Sequence, residues 1–193
     1  MRPVLALVAG LSLSVCGAGA WAATPADKLI AADSAYAEYE VDTALRLYNE
    51  VLGEAGADAK TKASALFGRA EVYAGSNRFP LAIEDYTAAL AVQPDPAQRA
   101  TILFSRAEGY ARTNQVELAL ADYAESLRLA PDQLGVHTVR GNLLQRLGRK
   151  DEALVEFEAE LARRPNNYRA RVGRAVILGL PLPPDPEEGR RSR

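Results

Sequence analysis

Apolar residues recur along most of the chain at intervals of three and four, and Ala and Leu are abundant, which is the pattern of amphipathic helices. Leu66, Ala70 and Tyr73 share one helical face, and Ala82, Tyr86 and Ala89 share another. Polar interruptions punctuate this pattern. Ser76-Asn77 and Gly148-Arg149 predict short turns. Thr24-Pro25-Ala26-Asp27 and Asp95-Pro96-Ala97-Gln98 predict helix starts: a capping side chain, a proline in the first helical position, then an acid or amide. Asn114-Gln115-Val116-Glu117 predicts a third start of the same kind without the proline. The chain therefore reads as all-α, built from short helices.

The pattern repeats. An Ala followed four residues later by an aromatic occurs at Ala44/Tyr48, Ala82/Tyr86, Ala119/Tyr123 and Ala153/Phe157, with spacings of 38, 37 and 34 residues. Twelve residues after the Ala stands Pro94, Pro131 or Pro165 in three units, and twelve before it stands Ala32, Ala70, Ala107 or Gly141. Nine before it, three units carry Tyr73, Tyr110 or Leu144. Arg174-Ala175 and Leu178 stand where Arg140-Gly141 and Leu144 stand one period earlier, so Tyr168 opens a partial fifth unit. Self-similarity at several coupled positions is the mark of a repeat architecture. Two short helices cannot bury enough apolar surface alone, so successive units must stack and share a core.

These coupled positions resemble a tetratricopeptide repeat array, most closely in the units centred on Ala82, Ala119 and Ala153. The resemblance implies a right-handed superhelical solenoid of antiparallel helix pairs. It divides residues 25–179 into units at about 25–57, 63–96, 100–133 and 134–167, with a capping helix over 168–179. The first unit departs most: Lys28 takes a bulky apolar site, Ala35 an aromatic one and Gly56 the proline site. In the fourth, His137 takes the bulky site and Leu144 the first aromatic one.

A second recurrence is polar. Arg69, Arg106 and Arg140 stand thirteen residues before the signature alanines, and Asp85, Asp122 and Glu156 stand three after them. The first unit has Ala31 and Leu47 there and lacks both partners together. The arginines alone would suit an anionic site. Their joint presence and absence with the acids favours structural ion pairs Arg69–Asp85, Arg106–Asp122 and Arg140–Glu156, since a partly buried arginine seldom goes unpaired.

The N-terminus has a different pattern. Met1-Arg2, the apolar run Val4 to Val15 and Ala20-Trp21-Ala22 follow the order of a secretory signal peptide over residues 1–22, with cleavage expected after Ala22. The apolar run is too short for a membrane span of roughly 20 residues. Leu13-Ser14-Val15-Cys16 resembles a lipoprotein box and offers a lipid anchor at Cys16 as the alternative, although Val15 stands where that motif takes a small residue. The expected location is periplasmic or secreted.

Composition narrows the chemistry. The 193 residues contain 48% hydrophobic and 25% charged residues, and Lys+Arg (23) nearly balances Asp+Glu (25), which argues against nucleic-acid binding. One Cys and one His exclude a zinc site built on those ligands and a disulfide framework. No serine stands in a Gly-x-Ser-x-Gly elbow and no phosphate-binding Gly-Lys-Ser or Gly-Lys-Thr occurs. His137, in a packing position, is expected to be a packed residue. No catalytic, cofactor or metal residues are predicted, and the protein reads as non-catalytic.

The remaining surface points to binding a protein or peptide. Beside the packing face of each first helix runs a stripe containing Phe67 and Glu71, then Phe104, Glu108 and Arg112, then Asn142 and Gln145. The resemblance implies that first helices line a concave groove holding a peptide or partner helix, with these seven residues as candidates; the alternative for the two phenylalanines is the core. Residues 180–193 form a Pro-rich segment, expected to be a flexible tail, with docking of Leu180 and Leu182 or self-association through this end as the alternative.

Overall fold

The computed structural model describes residues 23–93 and 95–184. The predicted leader with Cys16 and its cleavage point after Ala22, the closing residue Pro94, and positions 185–193 of the tail lie outside the described residues. Among the described residues there are nine helices: α1 Pro25–Ala37, α2 Val41–Gly53, α3 Ala59–Gly75, α4 Phe79–Val92, α5 Pro96–Arg112, α6 Val116–Leu129, α7 Val136–Arg146, α8 Lys150–Arg163 and α9 Tyr168–Leu178. Each packs on its neighbours in sequence, and α1 also meets α3, α3 meets α5 and α7 meets α9. The result is a solenoid of four helix pairs followed by α9.

Local chemistry sets the helix ends. Thr24 and Asp27 form a reciprocal capping box at α1, and Asp95 Oδ1 accepts from Ala97 N at α5. Asn114 does not cap α6. It takes a left-handed conformation (φ 61°), and Gln115 precedes the helix without a side-chain cap. Tyr39, Asn77 and Gly148 hold the corresponding position, with φ of 64°, 58° and 76°. The repeat thus needs a left-handed residue in every intra-unit turn, a conformation Asn and Gly tolerate better than other residues.

The core is the set of signature positions. Ala44, Ala82, Ala119 and Ala153 are fully buried, as are Tyr48, Tyr86, Tyr123 and Phe157. Removing an aromatic ring of this kind from water contributes about 1.5–3 kcal/mol. Phe157 fills the space between α7 and α9 because both helices present glycine to it. A Cβ on Gly141 would lie 2.8 Å, and one on Gly173 2.3 Å, from ring carbons. Tyr48 lies equally close to Gly68 of the following unit.

The first unit is a complete helix pair despite its departures. Lys28, in place of a bulky apolar residue, ties α1 to α2 through Glu54, with Glu50 3.7 Å away. The aromatic role falls one position later than Ala35: Tyr36 is half-buried and donates to Glu71 O at 3.2 Å.

Candidate functional site

Two polar ladders run through the repeats. On the first, Arg69 and Arg106 each grip an aspartate with two nitrogens: Arg69 Nε and Nη2 to Asp85 at 2.7 and 2.6 Å, Arg106 Nε and Nη2 to Asp122 at 2.7 and 2.9 Å. The remaining Nη1 donates backward to the preceding unit, to Asn49 Oδ1 at 2.5 Å and to Thr87 Oγ1 at 3.0 Å. Each arginine therefore joins two units as well as two helices. Arg140 meets Glu156 through Nη1 alone at 2.6 Å, and His137 Nδ1 lies 2.8 Å from the other Glu156 oxygen. Ala124 stands where Asn49 and Thr87 stand, and Arg140 Nε is buried without a partner. In α9, Arg174 Nε lies 3.7 Å from Glu158, which occupies that same position one unit later. These arginines are committed to the frame.

The second ladder lies on the opposite edge of the first helices. Tyr48 donates to Asp33 at 2.7 Å and Tyr86 to Glu71 at 2.5 Å, while Tyr123 donates to Glu108. In the fourth unit the acid and hydroxyl are lost together, replaced by Asn142 and Phe157. Burial, reinforced by the facing carboxylates, holds all three tyrosine hydroxyls well above the ordinary phenol range. They remain neutral donors. This pairing is open to sequence reasoning, because acid and tyrosine recur and vanish at a constant separation, although Glu71 and Glu108 are predicted from the sequence only as candidate groove residues.

A groove of about 470 Å³ crosses α1, α3 and α5 beside this ladder. Asp33, Tyr36 and Tyr48 form one wall, Phe67 and Glu71 the middle, and Thr101 and Ile102 the other wall. Phe67 is half-buried, its ring 6.0 Å from that of Tyr86; Phe104 repeats the arrangement with Tyr123 at 5.9 Å. Of the candidate groove residues, Phe67 and Glu71 line this groove. Asn142 and Gln145 line a separate hollow of about 230 Å³ against Tyr168, Arg169 and Val172 of α9. Phe104, Glu108 and Arg112 line neither. Phe104 packs on the core cluster, Glu108 takes the Tyr123 hydroxyl, and Arg112 is exposed. The stripe is thus two recesses separated by the α5 stretch.

Among the described residues, no group of three or more His, Cys, Asp or Glu side chains could hold a metal ion, and no helix is long and apolar enough to cross a membrane. At the C-terminal end, Gly179 closes α9 in a left-handed conformation and Leu180 N donates back to Ala175 O. Leu180 and Leu182 are both exposed, yet Leu180 lines a small cleft with Pro181, the half-buried Pro183, Leu161 and Arg171, whereas Leu182 does not.

No curated protein matches the sequence. Solved structures match the fold. YrrB, a TPR protein with an unusual peptide-binding site, is 20% identical, with 81% of this chain and 77% of YrrB covered and a TM-score of 0.67. MamA is 16% identical over 80% of this chain and 81% of its own, with a TM-score of 0.70. A tetratricopeptide repeat protein from Parabacteroides merdae is 21% identical over 87% of this chain and 60% of its own, with a TM-score of 0.71. The tetratricopeptide repeat pattern matches residues 67–133 and 138–178, more than half of the chain. With its stacked helix pairs, this protein belongs to the tetratricopeptide repeat family.

Proposed function

We propose that this protein is a non-catalytic scaffold of the bacterial cell envelope that binds a peptide or helix along its first helices. The observation that carries the reading is the groove across α1, α3 and α5, where the half-buried Phe67 ring is framed by Tyr36, Tyr48 and Ile102. A concave, mostly apolar recess with a few placed polar groups is what a recognition site needs. Tetratricopeptide repeat proteins are generally interaction scaffolds, and YrrB, similar in fold, carries a peptide-binding site. The envelope location rests on the order of Met1-Arg2, the apolar run and Ala20-Trp21-Ala22.

Two measurements test this. A photo-crosslinking residue at Phe67 should capture a partner in living cells, while the same residue at the exposed Glu84 of α4 should not; equal capture at both would remove the groove. Intact mass of the protein recovered from the envelope should match a chain beginning at Ala23. A lipidated chain beginning at Cys16 would establish the anchored alternative.

A second reading has its own observation. Val176, Leu178, Leu180 and Leu182 are all exposed by 43% or more at one end of the array, and a face of this kind suits self-association as a structural subunit. Sizing of the purified protein decides: a monomer across the working concentration range discards it.

A further inference from the structure

The groove holds a half-buried carboxylate, Glu71, with no cation against it. Among the described residues, the buried and half-buried carboxylates at Glu50, Glu54, Asp85, Asp122, Glu125, Glu156 and Glu160 all have a cation within 4 Å. Glu71 and Glu108 are half-buried and have none; their polar partners are tyrosine hydroxyls. Glu108 has Arg112 and Arg146 close enough to influence its partner Tyr123. Glu71 faces the groove with the exposed Asp33 instead, and the neighbours that perturb Tyr48 and Tyr86 there are acids, phenols and the Ser105 hydroxyl, none of them a cation. A hydroxyl orients a carboxylate without neutralising it, and a charge drawn out of water without a counter-ion is costly.

The walls around these two carboxylates are aromatic: Tyr36, Tyr48 and Phe67. Aromatic rings attract a cation through their faces, and the attraction adds to that of a carboxylate when water is displaced. We infer that the occupant of this groove is a peptide that places a lysine or arginine side chain between Asp33 and Glu71, next to an apolar side chain seated on Phe67 and Ile102. This inference rests on the groove being the binding surface. It specifies the partner's chemistry: basic and apolar residues adjacent in an extended segment, not an acidic tail. The tyrosine ladder is the device that holds the two acids in place while leaving their charge for the ligand.

The test selects peptides of about ten residues from a random phage-displayed library on the purified full chain. The selected sequence is then measured by fluorescence anisotropy against Glu71→Gln, Asp33→Asn and Phe67→Ala, with circular dichroism to verify that each variant folds. Both amide variants keep an oxygen for the tyrosine hydroxyl, so the frame is preserved. Selected peptides should be enriched in Lys or Arg beside a large apolar residue. Replacing that basic residue with Gln should weaken binding about tenfold at low salt, and the advantage should shrink as salt is raised. In Glu71→Gln the same replacement should cost less than about threefold. Peptides that lose affinity in Phe67→Ala but show no basic enrichment, or an acidic one, overturn the charge inference and leave the groove standing. Selected peptides indifferent to Phe67→Ala, or no selected peptide at all, overturn the groove and this inference together. Equal displacement by free arginine amide would make the recess a small-cation site and overturn the peptide.

Discussion

The α3–α6 region and the α7–α9 region repeat the same backbone but are held by different polar frames. In the first, each arginine grips its aspartate with two nitrogens and spends the third on the preceding unit, and each core tyrosine finds a carboxylate. In the second, Arg140 makes one bond to Glu156, shares that acid with His137 and leaves Nε unpartnered, while Phe157 sits between two glycines with no hydroxyl to place. The tyrosine ladder loses its partners as a set, Asn142 with Phe157, whereas the arginine ladder loses one side only: Ala124 removes the acceptor while Arg140 remains with Nε unpartnered. A repeat can exchange polar specificity for apolar packing, provided both halves of an interaction change together, because a single orphaned group carries the full desolvation penalty.

The largest expected effect separates the two arginines. Arg106→Ala strands Asp122, whose side chain is 11% exposed, and should lower stability by about 3 kcal/mol in equilibrium denaturation. Arg140→Ala leaves Glu156 with His137 and should cost about 1–2 kcal/mol less; equal losses would erase the distinction. Ala119→Phe tests the apolar register common to both regions and should cost about 1–3 kcal/mol by overpacking a fully buried site. An unchanged unfolding midpoint would undo the alignment of the repeats.

Alkaline pH should act on α1–α6 before α7–α9. Tyr48, Tyr86 and Tyr123 have folded-state values raised above the ordinary 10.0. Their contribution is therefore complete below about pH 10 and is lost as pH climbs, because the unfolded chain releases these protons first. Amide exchange above that pH should quicken in α1–α6 sooner than in α7–α9, and Tyr123→Phe should flatten the pH dependence.

A smaller effect is expected from moving the ladder. Asn142→Glu with Phe157→Tyr should show a favourable coupling of about 1 kcal/mol in a double-mutant cycle, since Tyr48 demonstrates that a hydroxyl fits over a facing glycine. Simple additivity would mean the pairing is incidental. Smallest of all, Ala124→Asn gives Arg140 the acceptor that Asn49 gives Arg69 and should raise stability by about 0.5–1 kcal/mol. A loss instead would show that Arg140 has settled into a frame that no longer admits the link.

Much of this could be read in the string because repetition supplies internal comparison. Ala82, Ala119 and Ala153 with their aromatics recur since one close contact is rebuilt in every unit, and Ala31 with Leu47 exposes the arginine–acid pair by lacking both. The tyrosine–acid ladder was equally periodic, but Glu71 and Glu108 lie on a helix face that also meets the groove, and periodicity cannot tell a bonded carboxylate from a solvated one. Asn114 satisfied the composition of a cap, yet capping depends on φ and on which nitrogen faces the oxygen. Asn167, which caps α9 while its amide reaches Glu160 on α8 and Thr138 on α7, has a counterpart in Gln133, which bonds the buried Ser126 seven residues back as Asn167 bonds Glu160; the residue types differ between the units, so the recurrence is hidden in the string.

The sequence by itself determined the helices, their pairing and the residues that fill the space between them, because these follow from local periodicity and from contacts copied once per unit. It also marked the arginine–acid pairs as part of the frame; only the tertiary structure decided which of the remaining carboxylates bond a tyrosine and face a recess. That depends on where helices distant in sequence bring Asp33, Glu71, Phe67 and Ile102 around one recess, and on the partial burial that makes the unneutralised Glu71 there costly.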